Sequence, residues 1–543
     1  MSMEPLLHPE NYTIEKCSVD LLHYLRQFKI EDVFRLIGYS YIRLNHEAAT
    51  SSGYKISPKL MVNLPFMYAE NAFNGVKRVS DYDASFNHLV DLLEDLYYCH
   101  YNEATIGANK NHLHEDIASN MYMNFHFNFP DISIRQYLGF FCKHVDILEH
   151  YFDMVELSGD QIIRGLLIVL NYERACKKSF MLRMQKRWQE IRESHCFVDM
   201  RFDAPISNKV RTHFTTDCIR MLLKKFDIPA DTFIDAMFFK VQQKDVISFE
   251  YPTNIYKKYR SYFGIRYDEM ILLPRNHYIL DRLFNIIEES ELYIDKRKGD
   301  YLENRAYEII CKFFRKENVY KNLFDENGDD QDIIVLYNGY LLSIECKATK
   351  LKEPFINKEK SETRLQRNFK PSLQKAYEQS ERIAIHMNKG TAKFYNSRNR
   401  EKRELVIDLA AINVTSIRSI AVTLTPYLNL GTDIHLMLKK EGVIKEPWSI
   451  DIFSLEQILL KCMHNYNIDF FMGFLENRLD LYGSVFSVSG DELSHFGNYI
   501  RYRELFNLRI EGVTTHLGPG YRSFANDFID LDNYMVFRDY LGI

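Results

Sequence analysis

Proline and glycine are scarce in this 543-residue chain, at 14 and 22 residues, and tryptophan occurs only 2 times. So little turn-forming material argues against a strand-dense β architecture and favours long helices. Long apolar runs are missing as well. No stretch approaches the ~18 residues that a membrane-spanning helix needs, and the opening MSMEPLLHPENYTIEKC has no basic segment followed by an apolar one. The 9 cysteines (17, 99, 142, 176, 196, 218, 311, 346 and 462) never form a Cys-x-x-Cys pair, which excludes the common zinc and dithiol motifs. Scattered thiols without an export signal or a membrane span imply reduced cysteines and a cytoplasmic location. A Gly-x-x-x-x-Gly-Lys-Ser/Thr loop is also lacking, so no ATP-driven motor is expected.

What is present reads as a helix-rich multidomain protein with a central α/β domain. The composition, 46% apolar and 26% charged, is that of a globular chain, and its length calls for several folded units. A net charge of -5 excludes a uniformly basic coat but leaves room for a local basic channel. Residues 1–290 carry mostly helical periodicity, as in Leu21, Leu22, Leu25 and Phe28 or Leu89, Leu92, Leu93 and Leu96, and are assigned to a helical sensor or assembly region of one or two subdomains. At Lys296-Arg297-Lys298-Gly299 the pattern changes at a short basic joint. A helix over about 300–316 is then followed by strand, tight turn, strand, a basic connection, a helix over about 372–389, and β-like segments at 405–409 and 417–424. This places an α/β domain at 291–435. Beyond about 440 helical patterning returns, with Ser454-x-x-Gln457 and Ser489-x-x-Glu492 resembling capping boxes, so 436–543 is expected to be a helical accessory domain.

The informative stretch runs from Gly328 to Lys347. Asn338-Gly339 between apolar runs is a strong hairpin signal, because both central residues of a type I′ turn need φ > 0. With these two as the loop, Tyr337 faces Tyr340, Asp332 faces Glu345 and Asp330 faces Lys347. Side chains two apart on a strand share a face, so Glu345, Lys347 and Asp332 converge. Two carboxylates roughly 5 Å apart repel unless something positive lies between them. Oxygen ligands of this kind suit Mg²⁺, with Mn²⁺ as the second choice. The bland alternative is a set of solvated strand-end charges bridged as Asp330–Lys347.

Asp332, followed thirteen positions later by Glu345-Cys346-Lys347 on the next strand, resembles the Asp…(Asp/Glu)-x-Lys signature of the PD-(D/E)XK nuclease superfamily, closest in flavour to its Mrr-like or NERD-like branch. The likeness covers ~100–130 residues. Gly299-x-x-x-Glu303 on the preceding helix and Gln374-Lys-Ala-Tyr-Glu-Gln379 on the following one extend it, while Gln331 stands where the name-giving proline would be. The resemblance implies a restriction-endonuclease-like mixed sheet flanked by helices and Mg²⁺-dependent phosphodiester hydrolysis. It further implies that Asp332 and Glu345 hold the metal, that Glu303 completes its shell, that Lys347 orients water and offsets transition-state charge, and that Gln379 or Gln374 positions phosphate or water. On the bland side, Glu303 is an ordinary first-turn glutamate and the two glutamines lie on the surface.

Between Lys347 and Lys375 there are nine Lys and Arg against three Glu. Lys350, Lys352, Lys358, Lys360, Arg364, Arg367 and Lys370 are candidates to grip a nucleic-acid backbone, since phosphate contacts supply most sequence-independent affinity. Two further basic runs lie at Arg398, Arg400, Lys402 and Arg403, and at Arg174 to Arg192 with Phe180 and Trp188 interleaved. His112-x-His114-Glu-Asp116 lacks a third partner and carries no metal expectation. DNA is the expected substrate and RNA the runner-up; a homo-oligomer and a trigger or partner recognised by the helical flanks complete the reading. By analogy the context is defence against phage or foreign DNA. The rival functions are a non-catalytic nucleic-acid-binding or scaffold protein, and a chain whose main activity lies in its N-terminal half.

Overall fold

A computed structural model describes residues 13–49, 58–109, 132–173, 175, 214–274, 276–349, 367, 369–427, 431, 434, 437–440, 442, 444–482 and 492–503. It is a mixed α/β protein. Helices dominate the N-terminal half, among them Ile14–Arg26, Ile30–Ala49, Pro58–Glu70, Tyr82–Asn109, Ile134–Cys142 and Asn276–Glu288. They are not alone there. Four short strands, β1 (Phe214–Thr215), β2 (Phe238–Lys240), β3 (Gly264–Tyr267) and β4 (Met270–Leu272), make a small sheet in the order β1-β4-β3-β2. That adds to the helical reading of 1–290, which has no strands in it: strands of two to four residues are too short to establish a period of two. No helix among the described residues is long and apolar enough to cross a membrane, and none of the described cysteines is in a disulfide.

The sheet that carries the candidate site has seven strands: β5 (Val319–Phe324), β6 (Asp330–Tyr337), β7 (Tyr340–Lys347), β8 (Lys393–Tyr395), β9 (Leu405–Asp408), β10 (Ser416–Thr423) and β11 (Trp448–Asp451), ordered β11-β10-β7-β6-β5-β8-β9. β6 and β7 form the hairpin in the register read from the sequence, with Tyr337 opposite Tyr340 and Ile333 opposite Ile344. Asn338 and Gly339 have φ of 45° and 81°, as a type I′ turn requires. β10 lies parallel to β7, so the hairpin is central and both its faces are covered. The helix Asp295–Phe314 buries Leu302, Ala306, Ile309 and Phe313 in the core that also holds Ile333, Val335, Leu342 and Ile344. On the other face Ile383, from the helix Lys375–Asn388, packs with Leu323, Ile334 and Leu341.

Two local expectations change. Lys296-Arg297-Lys298 is not a joint but the first turn of the helix that starts at Asp295. Arg297 pairs with Asp146 at 2.7 Å, and Lys298 donates to the Glu288 carbonyl at 2.8 Å, so this turn is fastened to the preceding helices. Ser454 is likewise inside the helix Ile452–Asn465, whose N-cap is Asp451, accepting from the N–H groups of Phe453 and Ser454. Ser489 lies outside the described residues.

The boundaries at 290/291 and 435/436 do not mark breaks in packing. β11 pairs with β10, so the sheet continues past 435. Arg305 of the helix Asp295–Phe314 pairs with Glu456, and Gln136 donates to the Phe453 carbonyl at 2.8 Å. Phe284 packs on Phe453. A single buried cluster runs from Ile14 to Tyr499. A four-residue strand following a turn leaves no periodic signal, which is why the sequence suggests a separate C-terminal unit.

Gly339 tests the hairpin. A Cβ there would lie 2.8 Å from Thr415 Oγ1 on a backbone with φ of 81°. Gly339→Ala is expected to cost about 1–3 kcal/mol, read as a lowered urea midpoint, because the left-handed conformation and the crowding add. An unchanged midpoint would contradict the turn.

Candidate active site

The site forms where the central hairpin stops being a regular ladder. β6 and β7 pair up to Ile333–Ile344, and the β5–β6 ladder passes from Lys321–Ile333 to Leu323–Gln331 without pairing Asp332. Asn322, opposite this gap, has φ of 54°. Instead of joining a backbone ladder, Asp332 turns its carboxylate across the opening, where Oδ2 accepts the Cys346 N–H at 2.7 Å. The facing of Asp332 and Glu345 therefore survives as side-chain proximity rather than as a backbone pair.

Lys347 draws the cluster together. Its Nζ lies 2.8 Å from Glu345 Oε2 and 3.9 Å from Asp332 Oδ2, and it donates to Gln379 Oε1 at 2.8 Å. Asp330 is not its partner, which removes the Asp330–Lys347 bridge of the bland reading. Asp330 instead pairs with Phe324, and its carbonyl accepts from Gln379 Nε2 at 3.4 Å. The side chains are enclosed: Glu345 is 0% exposed, Lys347 11% and Asp332 13%. One oxygen, Glu345 Oε1, is buried with no hydrogen-bond partner.

Burial sets the electrostatics. Desolvation, then the nearby Asp332 charge, pushes Glu345 up to about 8. Asp332 is also raised by burial, although Lys347 and the Cys346 N–H pull it down. Glu303 is pushed up to about 7 by burial and then by Asp332 and Asp300. For Lys347, burial opposes the charge, but Glu345 and Asp332 outweigh it and the ammonium titrates above its ordinary range. Two unit charges ~4 Å apart interact by about 4 kcal/mol at an effective dielectric of ~20, so one ammonium cannot offset three carboxylates. The cluster needs protons or a further cation.

Glu303 sits in the interior of its helix, well past the first turn, so an N-terminal dipole role does not account for it. Its titration responds to the charges of Asp332 and Lys347, so it lies within electrostatic reach of the cluster. Gln379 is buried and belongs to the cluster through Lys347. Gln374 does not: its carboxamide accepts the Lys439 N–H at 2.9 Å and donates to the Lys439 carbonyl and to Glu378. It anchors the segment before β11 and leaves Gln379 as the site glutamine. Of the basic connection, Lys350, Lys352, Lys358, Lys360 and Arg364 lie outside the described residues, while Arg367 and Lys370 are exposed just ahead of the helix bearing Gln379. Arg398 and Arg403 brace the β5–β6 turn by donating to the Gly328 and Glu326 carbonyls. The His112–Asp116 cluster is outside the described residues, as is the basic run 174–192 apart from Ala175.

Sequence reasoning missed a buried polar thread beneath the site, in which Gln331 Nε2 donates to Ser343 Oγ, Ser343 meets Ser380 at 2.8 Å, and Ser380 meets Ser419 at 2.8 Å. Lone serines in apolar strands carry no motif. The residue standing in the proline position is therefore buried and bonded.

Among the described residues, no three acidic, histidine or cysteine groups form a ready-made metal cage. The donors nevertheless suit a hard cation: Asp332, Glu345 and Glu303 offer only oxygen, and Glu345 Oε1 is an unpartnered buried acceptor. Compared with protein-family profiles, curated proteins and solved structures, the chain matches none, so the site is read from its own geometry.

The raised glutamates fix a pH dependence. Both hold protons more tightly folded than unfolded, where Glu titrates near 4.5. Stability is therefore fully present below that value and falls as pH rises through about 7 and about 8. Lys347 titrates above this window. Glu345→Gln is expected to flatten the slope, measured as urea midpoints from about pH 5 to 9 without divalent ions. Buried His144 and His495, whose pKa values are lowered, push the total slope the other way, so the comparison decides: a Glu345→Gln slope equal to that of wild type would contradict the assignment.

Proposed function

We propose that the chain is a divalent-metal-dependent nuclease that hydrolyses phosphodiester bonds, with DNA favoured over RNA as substrate. The observation that carries this reading is the meeting of Lys347 with Glu345, Asp332 and Gln379 at the opened end of the hairpin. A solvated set of strand-end charges would not be enclosed to this degree, nor leave a carboxylate oxygen buried without a partner.

Asp332 and Glu345 are the residues that would hold the cation, with Glu303 beside them. Bound there, Mg²⁺ or Mn²⁺ supplies Lewis acidity toward a phosphate and an attacking water. Lys347, released from one carboxylate, orients that water and offsets negative charge on the phosphate oxygens in the transition state. Gln379 holds the ammonium on its far side and keeps it aimed into the cluster. Arg367 and Lys370, exposed ahead of the Gln379 helix, suit contacts to a polyanionic backbone. A role in defence against foreign DNA rests on the family resemblance alone, and a phage challenge of cells carrying the protein is its measure.

Purified protein incubated with circular DNA, linear DNA and RNA in Mg²⁺, Mn²⁺ or EDTA tests the proposal. Cleavage is expected with either metal and not in EDTA, and Lys347→Ala or Glu345→Ala should each lower the rate by at least ~10²-fold. Cleavage unchanged in both variants would remove the site assignment. DNA binding by wild type and variants without any cleavage would favour a scaffold protein.

A further inference from the structure

At Asp332 the strand β6 skips its pairing to both neighbours, while residues 330 and 331 remain paired to β5 on one side only. The helix Lys375–Asn388 supplies three side chains at that point. Gln379 Nε2 and Arg382 Nη2 both donate to the Asp330 carbonyl, at 3.4 Å and 3.0 Å. Ser380, through Ser343, reaches Gln331. Residues 330 and 331 are therefore fastened to this helix immediately before Asp332.

Arg382 does more than share one carbonyl. Its guanidinium also lies 3.5 Å from Asp325 Oδ2 and 3.3 Å from Asp329 Oδ2, the two acids bounding the turn between β5 and β6. Asp325 is buried, and its Oδ1 accepts the N–H groups of Asn327 and Asp329, which shapes the turn. His386, one turn further along the helix, approaches the same Asp325 oxygen at 3.7 Å. The guanidinium thus hydrogen-bonds the carbonyl and meets the two carboxylates as ion pairs, Asp325 Oδ2 having no hydrogen bond; a lysine ammonium, compact and without the planar fork, would not span all three.

We infer that Arg382 is a positioning residue: by clamping the β5–β6 turn and the Asp330 carbonyl to the helix that carries Gln379, it sets where the Asp332 carboxylate stands. The assignment deepens the nuclease reading and rests on it for its functional meaning, but its physical content can be read without any cleavage. The reporter is the Cys346 N–H, which Asp332 engages across the opening.

Hydrogen–deuterium exchange of the full chain, followed by mass spectrometry on peptides covering residues 344–348, is the experiment, with Arg382→Ala and Arg382→Lys beside wild type. Exchange at the Cys346 amide is expected to quicken by ~10-fold in Arg382→Ala and by less in Arg382→Lys, while peptides from the helix Ile14–Arg26 stay unchanged. If wild type cleaves DNA, Arg382→Ala should lower kcat by ~10-fold or more with KM little altered, and Arg382→Lys should recover part of it. Unchanged Cys346 protection in the folded Arg382→Ala chain overturns the clamp, whatever the activity. Quickened exchange in Arg382→Ala beside a wild type that cuts nothing upholds the clamp and removes the nuclease reading. Should the alanine variant lose protection in the helix Ile14–Arg26 too, Arg382→Lys decides: exchange equal to wild type at residues 344–348 overturns the clamp, and local quickening upholds it.

Discussion

A carboxylate sealed inside a protein must be matched by positive charge or carry a proton, and Glu345 is sealed completely. The match comes from its own strand, because Lys347 two residues along projects from the same face and bends back on Glu345. That pairing explains why the strand ends in charge after five buried positions, and why Gln379 is buried opposite it on the packed helix. The surrounding acids resist ionisation chiefly because they are buried, and Lys347 offsets that only in part.

The hairpin is legible in the amino-acid order, and for a physical reason. A two-residue turn built on Asn338-Gly339 leaves one register for the strands it joins, and each facing pair from 337–340 to 333–344 follows from it. Extending the same register onward to Asp332 goes one step too far, because β6 and β7 stop pairing at Ile333–Ile344, and on the other side Asn322, opposite Asp332, has a positive φ and is skipped by the ladder. What persists is the side-chain meeting, since Asp332 finds the Cys346 N–H. Helix faces are legible too: Leu302, Ala306 and Ile309 point inward as their spacing requires, and Glu303 borders that stripe.

Other features have no sequence signal to give. Gln374 and Gln379 flank the same apolar stripe and look equivalent, and only the return of the chain at Lys439 occupies one of them. The serine thread through Ser343, Ser380 and Ser419 links residues far apart in the sequence, each inconspicuous among apolar neighbours. β11 is four residues long, yet it completes the sheet and carries into the helix Ile452–Asn465 that packs on the helix bearing Glu303. Short elements of this kind are fixed by tertiary contacts rather than by local preference, and these contacts are what join the three regions that patterning separates.

The position of β7 in the sheet decides from which side anything can reach Lys347. Helices lie over both faces of the hairpin, and the neighbouring β10 pairs along the full length of β7. Among the described residues, the direction left uncovered is along the strand axis, past the end of β7 and the start of β6. On the proposed reading, a substrate would therefore come to Lys347 along that axis and not across either face of the sheet.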